Sequence, residues 1–117
     1  MALTREQLKA KRGVRQRVAV DIPEFGTVYV AKMTARDRDE FEFIVTGGSP
    51  TGKVNTRNVR AKFLALVLVN EDGTKMCEDE DAEWIGELDT DVVQAIVEAG
   101  FKLNGIGSDT LEETVKN

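Results

Sequence analysis

The residues nearest to a chemical signature are Gly47-Gly48-Ser49-Pro50-Thr51-Gly52-Lys53. Here a glycine, four residues, a second glycine and a lysine take the spacing of a phosphate loop. In such a loop the backbone amides cradle the phosphates, the lysine neutralises them, and a following Ser or Thr holds magnesium. Val54 stands at that last position. Nucleotide hydrolysis further needs a parallel sheet and an acidic, metal-holding strand, and the rest of the chain lacks the alternation of strand and helix that builds one. Three glycines and a proline within the six residues Gly47 to Gly52 read better as a mobile linker. Nucleotide binding by Gly47 to Lys53 stands as the alternative from another function class.

Other chemistries are thinner. Histidine is absent, which removes the commonest general base and the commonest metal ligand together. Hydrolase triads and zinc sites are therefore not expected, and no catalytic residue, cofactor or metal site is singled out. Asp89-Thr90-Asp91 lacks the third ligand position and central glycine of a calcium loop, and helix capping accounts for it better. Twenty-one acidic residues offer no particular pair for acid–base work without geometry. The lone Cys77 precedes four acids, Glu78 to Asp81, whose charge disfavours a thiolate; it builds no disulfide framework and suits a reducing cytoplasm. Trp84 is expected as a core anchor.

Charge is unevenly placed along these 117 residues, whose net charge is −5. The first twenty carry six basic residues against Glu6, whereas positions 70 to 117 carry three basic and fourteen acidic ones. A basic arm and an acidic back half suit head-to-tail self-association, with a solvated acidic surface as the plainer account. The arm has no interleaved aromatics, so nucleic acid is not expected as a partner. With 41% apolar and 32% charged residues the composition is globular, and no apolar run reaches the roughly 20 residues that span a bilayer, so no membrane partner is expected.

The elements that would position these residues centre on RNVRAKFLALVLVNEDG, from Arg57 to Gly73. Val59, Phe63, Leu66 and Val67 follow helical spacing and Ala61, Ala65 and Leu68 keep the other side small or apolar, which predicts a central helix covered nearly all round. Asn55 or Thr56 would cap it, and Asn70 to Gly73 would reverse the chain behind it. Periodicity alone leaves a buried strand open for the run Phe63 to Val69. Upstream, Thr4 to Gln7 has capping-box spacing for a short helix ending near Gly13, with an exposed arm as the other reading. Val18 to Ile22 and Thr27 to Val30, split by Pro23-Glu24-Phe25-Gly26, predict a hairpin.

Thr34 would cap a helix carrying Phe41, Ile44 and Val45. Downstream, Thr74 to Met76 would be a short extended piece with Met76 inward. The acids Glu78 to Asp81 would open a helix with Ala82, Trp84, Ile85 and Leu88 on its apolar side. Asp89 or Thr90 would cap the next, carrying Val92, Val93, Ile96, Val97 and Phe101 and stopping at Asn104-Gly105. Ser108 or Asp109 would cap a last helix with Leu111 and Val115. The expectation is an α+β fold: a mainly helical small domain of four to five helices with one N-terminal β-hairpin. Residues 1–17 form a basic arm or short helix, and 18–117 a single domain with the hairpin at 18–32 and helices from 35 onward.

Three stretches, VAVDIPEFGTVYVAKMTARDRDEFE, NVRAKFLALVLVNEDGTKMCEDEDAEWIGEL and FKLNGIGSDTLEETVKN, resemble the tail assembly chaperones of long-tailed bacteriophages. The resemblance rests on the order of weak features: a Pro and an aromatic before Gly in a hairpin, a Val-Tyr-Val strand, Met-Thr before an Arg-Asp helix start, an arginine-led central helix, an Asp-Gly turn and a late Asn-Gly. It implies a non-enzymatic protein that coats the tape measure protein and keeps it soluble while tube subunits polymerise around it, then leaves. It further implies the short form of a product whose longer, frameshifted form recruits the major tail tube protein. The setting would be the host cell cytoplasm during infection or from a prophage, with the protein absent from the mature virion. Expected client-contacting residues are Arg57, Arg60, Phe101, Leu111 and Val115. The two arginines, disfavoured at a helix N-terminus, are expected to answer an acid within the chain. A structural tail subunit that stays in the particle is the third reading.

Overall fold

A computed structural model describes residues 2–13, 15–45 and 58–107. The order of elements is α1 (Arg5–Lys9), β1 (Arg17–Ile22), β2 (Gly26–Ala31), α2 (Ala35–Val45), α3 (Val59–Val67), β3 (Leu68–Val69), a 3-10 turn (Asp79–Asp81), α4 (Ala82–Ile85) and α5 (Thr90–Leu103). Among the described residues, five helices stand with a three-stranded antiparallel sheet in the order β1-β2-β3. The α+β class holds, and the sheet has one strand more than the hairpin alone.

Local chemistry sets most of the boundaries. Thr4 Oγ1 accepts from the Gln7 amide at 3.2 Å and Gln7 Oε1 accepts from the Thr4 amide at 3.0 Å, closing the capping box of α1. None of the α1 residues is buried, so the segment is both a helix and an exposed arm. The hairpin pairs Val18 with Val30 and Val20 with Val28, and it turns through Glu24 at φ +71° and Gly26 at φ +126°. Thr34 Oγ1 accepts from the Asp37 amide at 3.1 Å and starts α2. Asp89 caps α5 by accepting from the Asp91 amide at 2.8 Å. At the other end of α5 the Ile106 amide donates to Phe101 O and the Gly105 amide to Lys102 O, with Gly105 at φ +67°, the two bonds of a Schellman stop.

Helix α3 is the hub, with Val59, Ala61, Phe63, Leu64, Ala65, Leu66 and Val67 all buried. It lies against α2, α4 and α5. Phe41 of α2, Phe63 of α3 and Phe101 of α5 meet edge-on, with ring centroids 4.8 to 6.1 Å apart. This trio joins the three helices at the centre of the core.

Four expectations change. The central helix ends at Val67, and Leu68–Val69 leave it directly as a strand, pairing Val30 with Leu68 and Tyr29 with Val69. The exposed ladder of β2 supplies backbone partners that outweigh helical spacing there. Asn70 to Gly73 is consequently a turn between β3 and the single bridge at Lys75, closed by the Asn70 amide to Thr74 O and the Gly73 amide to Asn70 O, each 2.8 Å. Met76 faces outward at 44% exposure because neighbouring residues of extended backbone point oppositely and Cys77, at 1%, takes the inward side. Trp84 is 47% exposed: α4 is one short turn whose inward positions are Ala82 and Ile85, three apart, which leaves the indole outside. The proposed caps Asn55 and Thr56 and the final helix with Leu111 and Val115 lie outside the described residues. The N-cap of α3 is Asn58, in the left-handed region at φ +59°.

Candidate recognition surface

Asn58 spends its side chain on fastening two helices, because its Nδ2 donates to Ala82 O at 2.8 Å. No side-chain cap remains for α3, and its first turn holds no acid. Arg60 sits in that turn, half-buried, where the helix dipole disfavours a cation. Its Nε is buried without a hydrogen-bond partner, and no ion pair of Arg60 occurs among the described residues. The intrachain salt bridge expected for it is therefore not formed there. Arg60 lines a groove of about 330 Å³ together with Asn58, Gly86, Leu88, Thr90 and Val93.

The other residues singled out by sequence fall elsewhere. Phe101 is a core residue, 4% exposed, so its ring is held by Phe41 and Phe63 and is not presented to solvent. Arg57, Leu111, Val115 and the loop 47–53 lie outside the described residues. The stretch FEFIV before that loop, Phe41 to Val45, is the end of helix α2, and the three described strands are antiparallel. The strand that precedes a phosphate loop is thus replaced by a helix, which ends at Val45. Among the described residues no three His, Cys, Asp or Glu groups gather as metal ligands, and no helix is long and apolar enough to cross a membrane.

The basic arm is tied to the sheet at its end. Arg15 pairs with Asp37 at 3.1 Å and donates to Lys32 O, while Arg17 Nε donates to Glu71 O at 3.0 Å. A second groove, of about 480 Å³, runs between this end and α5, with Lys32 and Lys102 beside Val18, Ala99 and Leu103. Large apolar side chains stand out at Phe25, Met76, Trp84 and Leu88.

Cys77 is inert for a different main reason than its acidic neighbours. Burial pushes its thiol up first, and the Asp81 charge adds to this. Asp81 is held below the usual 3.8, chiefly by the Trp84 indole N–H at 2.7 Å and then by the Glu78 amide. A carboxyl lowered in the folded state stabilises above its unfolded pKa, and that contribution is lost as pH falls through the lowered value. Trp84 emission of the folded chain is accordingly expected to shift at a lower pH than an ordinary aspartate titrates, with Asp81→Asn removing the step in a fluorescence titration.

An antiparallel three-stranded sheet, helices joined by an aromatic trio and two grooves that mix cations with apolar walls define a small α+β protein. Among solved structures the chain is similar in fold to the tail assembly chaperone of bacteriophage HK97. The TM-score is 0.59 at 15% sequence identity, over 77% of this chain and 86% of that one. No protein-family model and no curated protein matches the sequence.

Proposed function

We propose that this chain is a phage tail assembly chaperone that binds the tape measure protein and keeps it soluble while the tail tube assembles. The observation that carries this reading is the fold likeness to the HK97 chaperone over most of both chains. It is supported by the order of sequence features from Val18 onward and by the exposed Phe25, Met76, Trp84 and Leu88, apolar groups that an extended apolar client would cover. In this reading the protein is not an enzyme. It acts in the host cell cytoplasm as many weakly bound, self-associating copies, leaves before the virion is complete, and meets the major tail tube protein through a longer form.

Co-expression with the tape measure protein of the same phage tests it. A several-fold gain in soluble client that co-purifies with this chain is the expected result. An insoluble client and no complex, with this chain folded, would overturn it. Recovery of the chain from purified virions by mass spectrometry would instead make it a structural tail subunit.

A further inference from the structure

The groove between the start of β1 and the last turn of α5 combines wet apolar surface with two accessible cations. Val18 is 37% exposed, and Ala99 and Leu103 across from it are only half-buried. Lys32 and Lys102 line the same groove; both are exposed, and neither enters an ion pair among the described residues. β1 is the outermost strand in the order β1-β2-β3, so beside Val18 runs a sheet edge to which no described strand is paired. Edges of this kind are ordinarily covered or blunted, because their free N–H and C=O groups recruit other chains.

The described residues end close by, at Gly107. Asn104 fastens the end of α5 to the Met33 amide, and the Lys32 amide donates to Gln16 O, so the last turn of α5 meets the end of β2 and the start of β1 at this groove. Gly107 follows Leu103 by four residues, and SDTLEETVKN, residues 108–117, comes next. Ten extended residues span up to about 33 Å, ample for a groove that begins beside them. Their composition is its complement: Asp109, Glu112 and Glu113 against the single Lys116, with Leu111 and Val115 apolar.

We infer that residues 108–117 cover this groove of their own chain, with Leu111 over Val18 and Leu103 and the carboxylates of Glu112 and Glu113 facing Lys32 and Lys102. Tethering gives the segment an effective concentration on the order of millimolar, so a contact too weak to hold a free peptide is enough. Ion pairs at an exposed surface add little affinity but select which segment is accepted. The basic arm, residues 1–17, carries the wrong sign for the same place. Such a cover needs no client and holds whether or not the chain is a chaperone.

The test puts a spin label on Val115→Cys in the full chain and reads backbone amide signals by NMR. The native Cys77 is 1% exposed and its thiol is pushed up by burial, so labelling falls on the introduced cysteine. Loss of most of the signal at the Val18, Ala99 and Leu103 amides is expected. Lys32→Glu with Lys102→Glu, both at exposed positions that the fold tolerates, should restore those signals, and adding Glu112→Lys with Glu113→Lys should remove them again. Full signals in the labelled parent, or a loss that reversing the two lysines leaves unchanged, would overturn the inference. A mixture of spin-labelled copies with isotope-labelled copies that carry no spin label identifies the source of the segment. Signal loss at the same amides in that mixture would give the groove to a second copy and overturn the cover within one chain.

Discussion

Phe63→Ala is expected to lower the stability of the fold by about 3–5 kcal/mol, the range for truncating a buried aromatic. Phe63 is fully buried, and its ring lies 5.2 Å from that of Phe41 and 4.8 Å from that of Phe101. One truncation therefore loosens α2 and α5 from the hub at once. The neighbourhood cannot easily collapse into the space, since Gly100 already brings α5 against the ring: a Cβ there would stand 2.8 Å from Phe63 Cε2. A domain of this size has only about 5–15 kcal/mol in total, so urea unfolding should show a large drop in midpoint with little change in slope. Phe63→Leu, which refills most of the volume, should cost much less. Equal stability of the parent and Phe63→Ala would show that the trio does not organise the core.

The second large effect is expected at Asn104, where one side chain joins the end of α5 to the end of β2. Its Oδ1 accepts from the Met33 amide at 2.8 Å, and its Nδ2 donates to Gly100 O at 2.8 Å and to Ala31 O at 3.4 Å. Arg38 Nη1 also donates to Asn104 O from α2. Asn104→Ala strips the Met33 amide of its partner in a part-buried site and removes the side-chain donor to Ala31 O and Gly100 O, the latter still accepting from the backbone amide of residue 104. Each unsatisfied buried group costs about 1–3 kcal/mol, which places the loss near 2–3 kcal/mol after partial access by water. Hydrogen exchange gives the sharper readout. The Met33 amide should lose its protection in Asn104→Ala before the core of α3 does. An unchanged Met33 amide would show that the clamp is not holding that junction.

These two residues mark different limits of legibility. Phe63 stood out by helical spacing, and α3 is a helix buried on nearly every side as its composition implied. Asn104 was legible as a helix stop beside Gly105, and the Schellman bonds bear that out. Its reach to Met33 and Ala31 was not, because those residues lie more than seventy positions away and nothing local signals the pairing. The outward side of Trp84 is a matter of local spacing. Ala82 and Ile85 lie three apart and define the inward side of a one-turn helix, so Trp84 falls outside it. At Arg60 the misfit of a cation at a helix start was visible, but the expected acid is not among its described neighbours.

What the sequence determined by itself is the set of local structures. The capping box at Thr4, the β-branched runs around Pro23 and Gly26, the Thr34 cap, the α5 stripe and its Asn-Gly stop each rest on interactions within a few residues, and each forms where the pattern put it. Tertiary structure decided the rest. Leu68 and Val69 become a strand because β2 offers them a ladder, although no glycine or proline separates them from α3. The inward side of Cys77, and with it the outward side of Met76, follows from which neighbours arrive. The buried, partnerless Nε of half-buried Arg60 is likewise a property of the assembled fold, since a donor is cut off from water only by the elements packed around it.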